Sequence, residues 1–210
     1  MRERPIIFNT EMVQAILDGR KTCTRRVVKG YIPKDAEFGY TAFTPKGAIS
    51  CRGIFETNYP GYGEKFFELP YHRGDILYVR ETWCSAYDGE KFFYLADKLT
   101  NREERSLLNY DDVKWHPSIH MPKEAARIWL KATDVRVERL QEITETQAQA
   151  EGCNSGLLTG PCTARGQFEN LWNSTIKKPD ADKYGWSANP WVWAIEFERC
   201  EKPRKENIND

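Results

Sequence analysis

The order of apolar and polar residues in the first part of the chain predicts a strand followed by a helix. Pro5-Ile6-Ile7-Phe8 is a short apolar run of the kind that forms a strand. Apolar residues then recur at helical spacing over residues 12–17, and Asn9-Thr10 before them can cap the first free backbone amides. Gly19 supplies a residue that adopts a left-handed backbone and ends the helix. Residues 21–26 are therefore predicted to form a loop just after a helix.

Three further segments have the pattern of strands. Residues 76–83 (ILYVRETW) are rich in β-branched and aromatic side chains. Residues 127–137 alternate apolar with polar or aromatic positions. Residues 191–197 alternate most clearly, so their odd-numbered positions are predicted to share one face.

Two more short helices are predicted, and they complete the expected fold class. One spans residues 144–152 and is capped at Thr144, and the other spans residues 167–175. No βαβ unit is repeated, and strands outnumber helices. The pattern predicts an α+β fold, with a twisted or barrel-like β core and short helices packed outside. Residues 1–200 are interpreted as a single domain, and residues 201–210 as a charged tail.

Length and charge restrict the partners of this protein. A chain of 210 residues suffices for one well-buried core. It carries 31 basic and 31 acidic side chains, whereas a protein that coats duplex DNA carries a basic excess. Any nucleic-acid role is therefore predicted to be local, with a nucleoside, a flipped base or a short single strand as the partner.

The sequence predicts a cytoplasmic protein without a cofactor. No apolar run near the first residues resembles a signal peptide, and none has the length of a membrane-spanning helix. The six cysteines are scattered without a C-x-x-C pair, so we interpret them as free thiols. No Walker-type phosphate-binding motif, dinucleotide fingerprint or nucleophile elbow is present.

The segment Asp18–Arg26 carries the densest candidate chemistry. A threonine hydroxyl such as that of Thr24 is inert until a neighbour accepts its proton, and the amine of Lys21 can do so when it is uncharged. Arg25 and Arg26 would supply nearby positive charge. The alternatives are a solvated basic loop and a phosphate-binding loop.

Other candidates are weaker. Glu151 is predicted to end a helix, where a carboxylate opposes the helix dipole, and it is either functional or an ordinary exposed residue. His116 and His120 have a spacing seen in zinc sites, but Pro117 breaks a helical presentation, so no metal site is predicted. Trp83 is a candidate for a pocket wall.

The segment Gly19–Arg26 fits the pattern G-x-K-x-x-T-x-R and so resembles the signature of the ASCH domain family. Residues 73–79 (RGDILYV) resemble that family's turn into a barrel strand, and residues 191–197 resemble its final strand. The longer layout is similar to ASCH proteins encoded by phages and prophages. The resemblance implies a PUA-like β-barrel linked to RNA or nucleoside handling.

The family includes bacterial 4-acetylcytidine amidohydrolases, whose active site uses a Lys, a Thr and a Glu. The resemblance assigns these catalytic roles to Lys21, Thr24 and Glu151. It implies hydrolysis of an exocyclic amide of a modified nucleoside or base, without a metal. The alternative is a non-catalytic reader of RNA or modified DNA. A structural or host-interaction protein and a ribonuclease are further options, the last disfavoured by the lack of a good His pair.

The remaining binding predictions concern the ligand and the extra segments. Contacts to the ligand are predicted for five residues: Arg20, Arg25, Arg26, Glu81 and Trp83. Compared with a minimal ASCH domain, the chain contains insertions at about residues 31–70, 84–124 and 152–185. These insertions are expected to cover, block or widen the pocket.

Overall fold

The computed structural model describes residues 2–30, 32, 36–43, 50–56, 65–86, 91–97, 114–154 and 163–203. The strands are β1 (Glu3–Ile7), β2 (Cys23–Val27), β3 (Glu37–Phe43), β4 (Ser50–Glu56), β5 (Lys65–Phe67), β6 (Ile76–Arg80), β7 (Trp83–Ala86), β8 (Lys91–Tyr94), β9 (Trp129–Arg139) and β10 (Trp191–Cys200). The α-helices are α1 (Thr10–Leu17), α2 (Glu145–Ala150), α3 (Ala164–Thr175) and α4 (Ala181–Tyr184). The protein is thus a mixed α+β fold with short helices.

A five-stranded sheet in the order β1-β6-β9-β10-β2 organises the molecule. β1 and β6 run parallel, whereas the other three pairs are antiparallel. Two smaller sheets, β3-β4-β5 and β7-β8, come from two of the predicted insertions. The long antiparallel pair β9–β10 forms the centre of the main sheet, and β2 lies at one end of its strand order.

The main sheet is covered on both faces. One apolar cluster packs α1 against β1, β6 and β9, with Val13, Ile16 and Leu130 fully buried. A second packs α2 and α3 around Val192 of β10. A third packs Trp193 and other β10 residues against side chains of β3 and β4. Because both faces of β10 are covered, residues 192–195 are all buried rather than alternating with solvent.

The predicted start and end of α1 are confirmed. The Asn9 side chain accepts a hydrogen bond from the Met12 amide at 2.9 Å, as a helix cap does. Gly19 has φ +73°, the left-handed conformation that ends the helix. The predicted helix at residues 144–152 is also present, with Thr144 as its cap. β9 and β10 confirm the strands predicted at residues 127–137 and 191–197, whereas the predicted strand at residues 76–83 ends at Arg80 and Trp83 begins β7.

The prediction of a loop at residues 21–26 is wrong. Lys21 forms a β-bridge, Thr22 leads into the strand and residues 23–27 form β2, which pairs with β10. Thr24 lies opposite Ile195, and Arg25 lies opposite Ala194. The polar composition of residues 21–26 predicted a solvated loop. In the structure Lys21 and Arg25 are buried instead, because they pair with carboxylates from distant segments of the chain. The candidate chemistry therefore lies on a sheet rather than on a surface loop.

Candidate functional site

Lys21 and Glu151 form the centre of the site. Lys21 Nζ donates to Glu151 Oε2 at 2.6 Å and to the Glu151 backbone carbonyl at 2.9 Å. Both residues are buried, with 2% and 3% of their surface exposed. The Phe8 ring lies 5.7 Å from Nζ and covers the ammonium group. A charge this deeply buried is tolerated only when it is paired, and Glu151 provides the partner.

The backbone holds this pair in place from two directions. After the turn at Gly19, the amide of Lys21 donates to the Ala15 carbonyl at 3.0 Å. The next amide, that of Thr22, donates to the Ala150 carbonyl at 2.8 Å. The ends of α1 and α2 are therefore joined through the segment that carries Lys21.

Gly152 allows these two helix ends to approach. It has φ +94°, and a Cβ atom there would lie 3.0 Å from the Ala15 Cβ. A side chain at this position would both strain the backbone and displace α1. The close approach explains why Glu151, although at a helix end, turns inward rather than into solvent.

Arg25 extends the ion pair into a network. Its Nη1 group donates to Glu151 Oε1 at 3.1 Å, and its Nε group donates to Glu138 Oε1 at 2.8 Å. Glu138 in turn accepts from Arg136 at 3.1 Å. The Arg25 side chain is completely buried, so its charge is balanced by the two carboxylates rather than by water.

Thr24 borders a small pocket. The pocket has a volume of about 30 Å³, and its β2 and α2 side is formed by Thr24, Arg25, Arg26 and Glu151. Helix α3 forms the opposite wall with one face, through Phe168, Leu171, Trp172 and Thr175. A volume of this size accommodates about one water molecule. The helix that covers the pocket, Ala164–Thr175, falls within the segment for which an insertion is predicted.

Arg26 and Arg20 occupy different environments. Arg26 donates to the Ile7 carbonyl at 2.7 Å and lies 5.3 Å from the Phe8 ring. Burial lowers the pKa of Arg26, and the charge of Glu151 opposes that shift. Arg20 is exposed and donates to the Gly152 carbonyl and to Asp18. Arg26 thus borders the pocket, whereas Arg20 lies at the surface beside it.

Glu81 and Trp83 have other partners and do not line the pocket beside Thr24. Both carboxylate oxygens of Glu81 accept from Arg127 at 3.0 Å. Burial raises the pKa of Glu81, and the hydrogen bond from Arg127 opposes that shift. The Trp83 ring packs 5.0 Å from the His116 ring. The structure therefore does not bring these two residues together with Lys21 and Thr24.

Sequence reasoning missed the part of the network on β9. Arg136 and Glu138 lie two positions apart, on the face that meets Arg25. The sequence does contain a pattern that indicates these two residues. Charged residues at alternate positions in a predicted strand must face either solvent or a charged partner. No pattern in the sequence predicts that α3 lines the pocket, because the apolar residues of α3 are equally typical of ordinary core packing.

No group of three or more His, Cys, Asp or Glu residues is close enough to hold a metal ion within the part of the chain that the structure describes. Across those same residues, no helix is long and apolar enough to cross a membrane.

The chain matches no family model, no curated protein and no solved structure. The resemblance to the ASCH family therefore stays a prediction from the motif residues.

Proposed function

We propose that this protein is an ASCH-type, PUA-like domain that binds a modified nucleoside or base and hydrolyses its exocyclic amide. The observation that supports this proposal most is the buried Lys21–Glu151 pair, because Glu151 lines the same pocket as Thr24. These three residue types are the set implied by the family resemblance, and Lys21 and Glu151 are 130 positions apart in the chain. In a solvated surface loop the lysine would be exposed, whereas Lys21 is buried against a carboxylate from a distant segment.

The barrel part of the proposal is supported by the ends of the main sheet. β1 and β2 are the first and last strands in the strand order. Arg26 on β2 donates to the Ile7 carbonyl on β1, and both Lys21 and Arg26 lie over Phe8, which directly follows β1. The two end strands therefore approach each other, as they would in a barrel of this class.

The first chemical step uses the proton shared by Lys21 and Glu151. When Glu151 holds this proton, the Lys21 amine is neutral and accepts the proton of the Thr24 hydroxyl. The Thr24 oxygen attacks the acyl carbonyl of the substrate, and Arg26 donates to the oxyanion that develops. Glu151 then protonates the leaving exocyclic amine, so the amide bond breaks and an acyl-threonine ester remains.

The second step returns the site to its starting state. Glu151, now a carboxylate, accepts a proton from water while the water oxygen attacks the ester. The Lys21 ammonium gives its proton to the departing Thr24 oxygen. One carboxylic acid is released for each water consumed, and the proton is again shared between Lys21 and Glu151.

Helix α3 must move for a nucleoside to reach Thr24. Ligand pockets usually have volumes of about 300–1,000 Å³, far more than the pocket of about 30 Å³ beside Thr24. α3 is held by its contacts with α2, including hydrogen bonds from the Ala164 and Arg165 amides to the Glu145 carboxylate. We therefore propose that α3 moves away from β2 when the nucleoside binds.

The decisive experiment measures acetate release from 4-acetylcytidine. Thr24→Val keeps the shape of the side chain and removes the hydroxyl, and Thr24→Ser keeps the hydroxyl. We expect Thr24→Val and Lys21→Ala to lose at least about 100-fold in rate, with Thr24→Ser partly active. Thr82→Ala, which alters a threonine outside the pocket, should match the wild type. Equal background rates in the wild type and all variants would overturn the hydrolase proposal. Nucleoside binding without turnover would indicate a non-catalytic reader of RNA or modified DNA.

A further inference from the structure

A second cavity lies beside the Lys21–Glu151 bridge. It is a cleft of about 280 Å³ bordered by β2, β9, β10 and α2. Thr22, which follows Lys21, and Ala150, which precedes Glu151, both line it. The cleft therefore lies next to the bridge, and none of the described residues that line it also lines the Thr24 pocket. None of the roles proposed above uses the cleft.

A β-bulge shapes the wall of this cleft. Glu196 pairs with Asp134 and Phe197 pairs with Ala132, so Thr133 is an extra residue in β9. Bulges redirect a side chain and are common next to functional sites. Here the bulge is at the cleft, and Thr133 lines it together with its β10 neighbours Glu196 and Phe197.

The polar groups of the cleft are hydroxyls, an amide and one carboxylate. The side chains that carry them are Thr22, Thr133, Thr146, Gln147 and Glu196. Neither a lysine nor an arginine is among the described residues that line the cleft. Phosphate groups are bound by cationic side chains or clustered backbone amides, so this lining favours a neutral ligand with several hydroxyl groups.

Glu196 is fixed in position but has acceptor capacity left. Its Oε1 atom accepts from Arg136 Nη1 at 2.6 Å. Burial alone would lower the pKa of Arg136, but hydrogen bonds to Glu196 and Asp134 raise it, so this partner stays charged. An ionised carboxylate has about four acceptor sites, so one hydrogen bond leaves the others for a ligand.

The remaining groups complement a ring with polar edges and an apolar face. Gln147 Oε1 accepts from the Thr144 amide at 2.9 Å, which leaves the side-chain NH₂ group as a donor. Ala150 and the exposed 4% of Phe197 provide the apolar lining. Burial raises the pKa of Cys23 to about 12, with a further contribution from Glu151, so its thiol adds no charge to the cleft.

We propose that this cleft binds a sugar ring with two neighbouring hydroxyl groups, of the ribose type. Glu196 accepts from both hydroxyls, Gln147 and the threonines bond the remaining oxygens, and the C–H face of the sugar ring lies against the apolar lining at Ala150 and Phe197. A volume of about 280 Å³ is near the lower limit for ligand pockets and suits one ring. The cleft requires no reaction at Thr24.

The test uses sugars without a base. Methyl β-D-ribofuranoside and its 2-deoxy analogue are titrated into the ¹⁵N-labelled protein, and the amide signals of Thr22, Thr133 and Phe197 are followed by NMR. A ligand of this size should bind with a Kd of about 1 mM. Loss of one hydroxyl to the carboxylate should weaken binding about tenfold or more. The proposal would be contradicted if both sugars shifted the same amide signals to the same extent and those amides lay outside the cleft.

Two matched variants identify the carboxylate. Glu196→Gln keeps the shape of the side chain and removes its charge. Glu198→Gln makes the same change two positions along β10, where the side chain is 60% exposed and outside the cleft. We expect Glu196→Gln to bind both sugars equally weakly, and Glu198→Gln to retain the wild-type preference. A preference that survives Glu196→Gln would overturn the proposal.

Separate measurements distinguish this inference from the hydrolase proposal. Acetate release from 4-acetylcytosine, which has no sugar, tests Thr24 alone and is independent of the cleft. If cytidine binds more tightly than the methyl riboside, the cleft holds the sugar of a nucleoside. Equal affinities would indicate a site for a free sugar. Both results support a diol-binding cleft, and failure of both sugars to bind would remove it whatever the hydrolase result.

Discussion

Lys21 and Glu151 are joined twice, once by their side chains and once by their backbones. The side chains form an ion pair with 2.6 Å between Nζ and Oε2, and the two residues also form an isolated antiparallel β-bridge. A side-chain contact alone could shift with a rotamer change. Because the backbone is paired as well, the distance between α2 and the start of β2 fixes the geometry of the site.

Loss of the Lys21 charge should destabilise the protein strongly. Lys21→Met keeps most of the buried volume but leaves Glu151 with Arg25 as its remaining cation. We expect a loss of about 3–5 kcal/mol in the free energy of unfolding, because breaking one side of a buried pair leaves charge uncompensated. Urea denaturation measures this change, and Lys29→Met, at an exposed position, is the matched control.

The double variant Lys21→Met/Glu151→Gln separates charge from packing. If the cost of Lys21→Met is the uncompensated carboxylate, removing that charge should recover part of the lost stability. Additive losses in the double variant would show that packing of the lysine stem dominates instead.

Replacement of Arg25 by lysine should also be costly, although the charge is kept. The guanidinium reaches Glu151 with one nitrogen and Glu138 with the others. A lysine ammonium is a single point and cannot hold both carboxylates in this geometry. We expect Arg25→Lys to lose about 2–3 kcal/mol in urea denaturation. The same change at exposed Arg73 should have no measurable effect, and equal losses at both positions would contradict the bridging role.

The Cys23 thiol predicts a decline of stability at alkaline pH. Burial raises its pKa from an ordinary 9.0 to about 12. Below pH 9 the thiol is neutral in both states. Between pH 9 and 12 the unfolded chain releases the proton while the folded protein retains it, so stability falls as pH rises, by about 1.4 kcal/mol per pH unit.

Two variants test whether this proton comes from Cys23. In Cys23→Ala, the slope of unfolding free energy against pH between 9 and 11 should be less steep by the equivalent of about one proton. Val27→Ala removes a side chain from the same strand without a titrating group and should keep the wild-type slope. If the slope in Cys23→Ala equals that of the wild type, the Cys23 thiol has the same pKa in the folded and unfolded protein.

A smaller residue on α3 should enlarge the Thr24 pocket. Leu171 lines the pocket and is half-buried. Leu171→Ala should cost about 2 kcal/mol of stability and should tighten binding of 4-acetylcytidine in calorimetry, because less displacement of α3 is needed. Leu17→Ala removes the same volume from half-buried packing around α1 and should destabilise without changing affinity. Equal affinities in the two variants would show that Leu171 does not limit entry.

The sequence predicted the elements that depend on local signals. The Asn9 cap, the left-handed Gly19 and the Thr144 cap are decided within a few residues, and all three are present. The alternation in β10 predicted a strand but not that both its faces are covered. Burial of Val192 depends on helices from another part of the chain.

The candidate site shows where sequence reasoning reaches its limit. Lys21 and Glu151 were named as candidates, and the structure places them in contact. The loop expected around Lys21 is instead the start of a strand, because strand pairing with β10 depends on residues about 170 positions later, which no local pattern contains. The same limit explains Glu138, whose partner Arg25 lies 113 positions away.

The strand order β1-β6-β9-β10-β2 has a consequence for synthesis on the ribosome. Among the described residues, β2 has β10 as its sheet partner, and β10 ends at Cys200. Translation proceeds from the N-terminus, so the segment bearing Thr24 and Arg25 emerges long before the strand that receives it. During that interval its buried cations must remain in water or be held by chaperones. The site is therefore assembled among the last parts of the nascent protein, and a ribosome stalled before residue 191 would carry every proposed catalytic residue without a functional pocket.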